Sequence, residues 1–191
     1  QLVKLYAGGN RQEMLNLGYQ SSRLAFYLML IITVPIMLNT EEILSIWLKE
    51  VPEHTVMFLR IIIISSLIEV LAIPLANMLQ ASGKIKTFQL TVSILYLLNI
   101  PISYILLCYG FNPEITLWVN LSLIVLSMVP RLYICRHILS LSIRDYIQNV
   151  ILRISFPLIL IIVVSYFMYS CFGYNLLANI SIEVTLSIVI I

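Results

Sequence analysis

The sequence predicts an all-α membrane protein, a polytopic bundle of transmembrane helices with five complete spans and a truncated sixth. Three observations carry that prediction. Of the 191 residues, 61% are hydrophobic and only 10% are charged, and the mean hydropathy is +1.02. Soluble domains carry roughly 25% charged residues, so the bilayer is the natural solvent for most of this surface. Five apolar runs, 21–39, 56–80, 88–109, 114–135 and 150–172, reach the length of about 20 residues that a helix needs to cross the hydrocarbon layer. Finally, the basic residues fall on alternate connections, as spans of alternating direction require.

Residues 1–20, "QLVKLYAGGNRQEMLNLGYQ", mix charges with Leu2, Val3, Leu5, Leu15 and Leu17. They read as a cytoplasmic loop at Gly8-Gly9-Asn10 followed by an amphipathic helix, and residues 21–191 form the transmembrane bundle. Lys4, Arg11 and Arg23 precede the first span; Lys84 and Lys86 follow the second; Arg131, Arg136, Arg144 and Arg153 surround the connection after the fourth. The 40–55 connection instead holds Glu41, Glu42, Glu50 and Glu53, and Glu114 marks the next turn on that side. Nine of the eleven basic residues thus lie on one side, which the positive-inside rule makes cytoplasmic. The sixth span starts near 177 and stops inside "TLSIVII". With Gln at position 1, this predicts a piece of a longer membrane protein.

Each complete span holds one proline: Pro35, Pro74, Pro101, Pro130 and Pro157. A proline inside a helix removes a hydrogen bond and kinks it, and in lipid the freed carbonyl must find another partner. One proline per span suits helices that bend or enclose a cavity. Trp47, Trp118, Tyr109 and Tyr174 fall where an outer aromatic belt belongs.

The second span carries the feature with most chemistry. Glu69 lies halfway along it, on a helical face with Ser65, Ser66, Ala76 and Gln80 and with Asn77 at the border. Carboxyl groups at mid-bilayer are costly and usually face a bundle interior or a wet cavity. Glu69 is therefore a candidate proton or cation site, or else a hydrogen-bonding group between helices. Arg60 is nine residues away, on the reverse side of the helix and about 13 Å along its axis, so it cannot pair with Glu69. It either reaches out to the interface or attracts an anionic substrate at a cavity mouth, and it is the one basic residue that the sequence places near a span interior. Asn179, Glu183 and Ser187 repeat the polar stripe in the sixth span; Asn99 with Ser103, and Asn120 with Ser127, are milder cases.

Cys108, Cys135 and Cys171 are isolated, with neither disulfide nor zinc spacing, and read as packing residues. His54 and His137 read as lone loop histidines. No phosphate-binding glycine loop, metal-ligand cluster or hydrolase motif is present, so no cofactor, metal or enzyme is expected, and nothing points to nucleic acid.

Three stretches carry a family resemblance: "QLVKLYAGGNRQEMLNL" before the first span, "PIMLNTEEILSIWL" at its outer end and "NMLQASGKIKTFQ" at the inner end of the second. They resemble the polysaccharide and O-antigen (Wzx-type) flippases of the multidrug/oligosaccharidyl-lipid/polysaccharide exporter superfamily. Tyr6 to Gly9 matches a Tyr-x-x-Gly-like turn. Ile43, Leu44, Trp47 and Leu48 match an Ile-Leu-x-x-Trp-Leu-like run, and Ala81, Gly83 and Lys84 an Ala-x-Gly-Lys-like turn. The resemblance covers about residues 1–90. It implies the second lobe of a two-lobed transporter of the bacterial inner membrane, with this chain supplying the later spans. Such proteins move undecaprenyl-pyrophosphate-linked glycans across the bilayer by alternating access, driven by H⁺ or Na⁺, alongside other polysaccharide-assembly membrane proteins. Glu69, Arg60, Asn77, Gln80 and Glu183 become the candidates for transport pathway or coupling. The alternatives are a multidrug exporter of the same superfamily, a membrane glycan polymerase or ligase, and a structural membrane subunit.

Overall fold

A computed structural model describes residues 1–172 apart from Lys49, with side chains described as far as Val163. Among these residues the structure is all-helical, without strands. The polytopic bundle is as the sequence predicts, with five helical segments long and apolar enough to cross a membrane. The predicted sixth span, with Asn179, Glu183 and Ser187, and Tyr174 lie outside the described residues.

The chain opens on a short helix, α1 (Leu2–Ala7), where the sequence suggests a loop. Gly9, at φ +78°, turns the chain, and α2 (Arg11–Leu38) then runs unbroken from the amphipathic segment through the first span. A second short helix, α3 (Thr40–Trp47), occupies much of the acidic connection. The second span is two helices, α4 (Thr55–Val70) and α5 (Ile73–Ala81), and the third is likewise α6 (Ile85–Leu97) and α7 (Asn99–Cys108). Gly83 and Gly110, both at positive φ, make the turns that follow α5 and α7.

The fourth span is one helix, α8 (Ile115–Leu139), which ends four residues beyond its apolar run. His137 therefore lies in its last turn and not in a loop. The fifth starts seven residues early, as α9 (Ile143–Tyr146), whose N-cap Ser142 accepts a hydrogen bond from the Asp145 amide, the usual service of a capping hydroxyl. A π-helical segment (Ile147–Ile151) follows and leads into α10 (Leu152–Phe172).

The prolines divide into two groups. Pro74 stands in the first turn of α5 and Pro101 near the start of α7, each just past a break. Pro35, Pro130 and Pro157 lie inside helices that continue through them. At two of these irregularities a tyrosine from another helix takes the carbonyl released. Pro157 has no N–H for the carbonyl of Arg153, and the Tyr27 hydroxyl donates to it at 3.1 Å. At the α4–α5 break the Leu71 carbonyl accepts from the fully buried Tyr146 hydroxyl, also at 3.1 Å. This meets the requirement that backbone groups in lipid be satisfied within the protein.

The core fills the space between α2, α5, the end of α8, and α9 with its π segment. Met14, Leu75, Met78, Leu139 and Val150 are buried there, and Tyr19 packs edge-on against Tyr146 with ring centroids 6.0 Å apart. Gly18 permits the closest approach, since a Cβ there would overlap the Met78 sulfur. Leu24, Leu28, Ile94, Ile100, Val129 and Phe156 are more than half exposed. An apolar surface of this extent marks contact with lipid or protein.

Candidate functional site

Three spans meet at a chain of polar side chains whose ends carry opposite charges. Glu69 is in the last turn of α4, half-buried, one turn from the buried Ser65. Tyr96, near the end of α6, donates its hydroxyl proton to Glu69 Oε1 at 3.0 Å. The same hydroxyl oxygen accepts from Arg131 Nη2 at 2.8 Å. Arg131 lies in α8 and is only 5% exposed. Its guanidinium also stacks on Phe88 and Tyr96 of α6, with Cζ 5.8 and 5.9 Å from the ring centroids.

Magnitudes show why this arginine can stay charged away from water. A guanidinium deep in a membrane helix costs about 3 kcal/mol on insertion scales. A hydrogen bond from a charged donor contributes about 1.5–3 kcal/mol, and each ring face about 0.5–2 kcal/mol. The phenol bridge and two rings can together offset the cost without direct carboxylate contact. Arg131 Nε and Ser65 Oγ are nevertheless buried with no hydrogen-bond partner among the described residues. An unpaired polar atom in a low-dielectric interior is costly, so these two atoms mark the least satisfied part of the seam between α4 and α8.

The chemistry available follows from the order of donors. Tyr96 is donor to Glu69 and acceptor from Arg131 at once, so α8 senses the charge on Glu69 through one hydroxyl. Loss of the carboxylate's charge would weaken its hold on the phenol, and with it the indirect compensation of Arg131.

The candidates from the sequence fare differently. Glu69 is in a polar network, but not with its expected stripe. Asn77 and Gln80 are exposed and line a separate cleft with Gln1, Leu2, Val3 and Ala81, on the far side of the α4–α5 break. Ser66 turns back to the Ile62 carbonyl of its own helix. Arg60 is half-buried in the second turn of α4 and takes no part in the network. Glu183 is not among the described residues. Ser103 donates to Asn99 Oδ1 at 2.8 Å, a pairing internal to α7.

One correction follows. Arg131 does not belong to a connection: it is a buried helix-interior cation, so Arg60 is not the sole basic residue near a span interior. Its sequence signal is periodic: Val119, Leu123, Ser127, Arg131, Cys135 and Leu139 recur every fourth residue, and all are buried. Glu69 keeps its place halfway along the second span, Thr55–Ala81, and its partner Tyr96 stands halfway along the third, Ile85–Cys108.

A second polar contact joins the opposite end. His54 Nδ1 and Glu114 Oε1 are 2.7 Å apart, which ties the start of α4 to the turn before α8. His54 stacks on Phe58 and holds a left-handed backbone at φ +75°. It is thus not the lone loop histidine that the sequence suggests. Among the described residues no group of three His, Cys, Asp or Glu side chains could hold a metal ion.

A family model described as MatE matches residues 3–105, just over half of the chain, from α1 into α7. No curated protein and no solved structure matches the chain.

Proposed function

The chain belongs to the MatE family, and so to the multidrug/oligosaccharidyl-lipid/polysaccharide exporter superfamily of membrane transporters, and from that premise we propose that it is one lobe of a flippase for lipid-linked glycans. The lobe rocks against its counterpart in alternating access and carries undecaprenyl-pyrophosphate-linked oligosaccharide between the leaflets of the bacterial inner membrane, with the basic connections cytoplasmic. The glycan specificity rests on the three motif stretches in residues 1–90. Coupling rests on the Glu69–Tyr96–Arg131 chain, the observation that carries the transport reading furthest. Glu69 takes up H⁺ or Na⁺, and Tyr96 passes the loss of its charge to Arg131. Asn77, Gln80 and Arg60 line approaches to the pathway, and Glu183 belongs to the same lobe.

Deletion of the full gene tests the substrate. Lipid-linked oligosaccharide should accumulate on the inner leaflet, where a membrane-impermeant probe added outside does not reach it. Unchanged distribution of the oligosaccharide with raised sensitivity to cationic drugs would instead establish the second reading, a multidrug exporter, which the family match favours equally. That outcome would leave the coupling role of Glu69 standing and remove the glycan.

A further inference from the structure

A second polar site lies between α2 and the fifth span. Asn16, Tyr19, Gln20 and Arg23 from α2, with Asn149 and Arg153 from the π segment and α10, line a cleft of about 200 Å³. Arg23 Nη1 donates to the Asn149 carbonyl at 3.2 Å, and one turn further along both helices Tyr27 donates to the Arg153 carbonyl. These two bonds fix the helices in register and bring two guanidinium groups to one groove. Arg153 is exposed and Arg23 half-buried. Among the described residues no carboxylate lies within 4 Å of either; Asp145, one turn before Asn149, is the acidic residue of the same helical stretch and sits exposed in α9.

The groove sits at a boundary. Beyond Arg23, α2 has no charged residue as far as Leu38, and beyond Arg153, α10 has none as far as Phe172. Leu24 and Leu28 on one side, and Leu152 and Phe156 on the other, are exposed next to the two arginines. A ligand here meets two cations and several amides at one end and apolar helix faces at the other. Single arginines at a span boundary reach towards headgroups as a matter of course. Here two arginines from different helices line one cleft, one of them already fixed to a carbonyl, and planar guanidinium donors are the groups best suited to a phosphate.

We infer that this groove binds the phosphate of a membrane lipid, with the lipid tail laid along Leu24, Leu28 and Phe156. The shared chemistry fits a phospholipid headgroup or the pyrophosphate of a polyprenyl carrier. The inference needs only the membrane setting and not the identity of the cargo.

The test uses the full-length protein in detergent, with lipid retention measured by native mass spectrometry for phosphatidylglycerol, polyprenyl pyrophosphate, and their phosphate-free analogues diacylglycerol and polyprenol. The phosphate-bearing lipids should bind more tightly than their analogues. Arg153→Gln, which removes an exposed side chain without a hydrogen bond to the fold, should weaken them about fivefold, the usual effect of one basic residue at an anionic membrane surface. Arg23→Gln/Arg153→Gln should abolish the preference. Loss confined to the phosphatidylglycerol arm identifies the bilayer lipid as the ligand, and loss confined to the polyprenyl arm identifies the carrier. Equal binding of the phosphate-free analogues, or full retention of both phosphate lipids by a folded double variant, overturns the inference. Because no arm measures transport, the result is independent of whether the chain moves glycans or drugs.

Discussion

Side chains meet across helices in two parts of this bundle, and the partners differ in kind. Between α4, α6 and α8, Glu69, Tyr96 and Arg131 join side chain to side chain. Between α2, the α4–α5 break and the fifth span, Arg23, Tyr27 and Tyr146 reach backbone carbonyls of Asn149, Arg153 and Leu71. A carbonyl has no charge to lose, so the bonds of the second set hold helices in place. A carboxylate bridged to a guanidinium carries a charge that can change, and one shared hydroxyl couples it to the arginine. The same physics that makes lipid demand satisfied polar groups thus yields a seam of bonds to carbonyls in one region and a network of chargeable side chains in the other.

The largest effect should come from breaking the responsive side. Arg131→Ala removes a buried cation, takes from the Tyr96 hydroxyl the donor it accepts from and leaves Glu69 without its indirect partner. By analogy with broken buried pairs this should destabilise the bundle by about 3–5 kcal/mol, read as a thermal or denaturant midpoint in detergent. Combining it with Glu69→Gln sharpens the point, because the double variant should recover part of the loss, with a coupling energy of about 0.5–3 kcal/mol. Strict additivity would mean that the two residues do not communicate through Tyr96.

Next in size is the seam. Tyr146→Phe orphans the buried Leu71 carbonyl and should lower stability by about 1–3 kcal/mol, while transport per folded molecule stays at the wild-type level. A specific transport defect in this variant would blur the distinction between the two regions. Tyr96→Phe keeps both ring contacts with Arg131 and deletes only the bridge. It should cost about 1 kcal/mol in stability, yet reduce transport far more than Tyr146→Phe does. The smallest effect is expected of Tyr27→Phe at the more exposed end of the seam, within about 0.5 kcal/mol of wild type by the same midpoint measurement.

Much of the fold is legible in the sequence because apolar run length and basic-residue alternation are local signals, and those are what fix spans. The weakness at Pro74 is legible for the same reason. The break at Leu98 announces itself only through Pro101 three residues on, and α8 outlasts its apolar run because Arg131 and Arg136 mimic the end of a span. Reading every fourth residue from Val119 to Leu139 restores Arg131 to the buried face. Glu69 stands out in the sequence by being a carboxylate in an apolar run. Its partners do not, since Tyr96 lies 27 residues after Glu69 and Arg131 another 35 after Tyr96, and a single sequence carries no signal for such a pairing. Asn77 and Gln80 are assigned to the Glu69 face by helical geometry that the α4–α5 break then interrupts.

The central claim is that Glu69 is a responsive group and not a staple. The most direct test is gradient-driven transport by the full-length protein in proteoliposomes, wild type against Glu69→Gln, with unfolding midpoints measured on the same preparations. Glutamine keeps a hydrogen-bonding carbonyl for Tyr96 but cannot carry the charge. The variant should fold with a near wild-type midpoint and lose at least tenfold in gradient-driven rate. A folded Glu69→Gln protein that transports at the wild-type rate would contradict the account and leave Glu69 as a bond between helices.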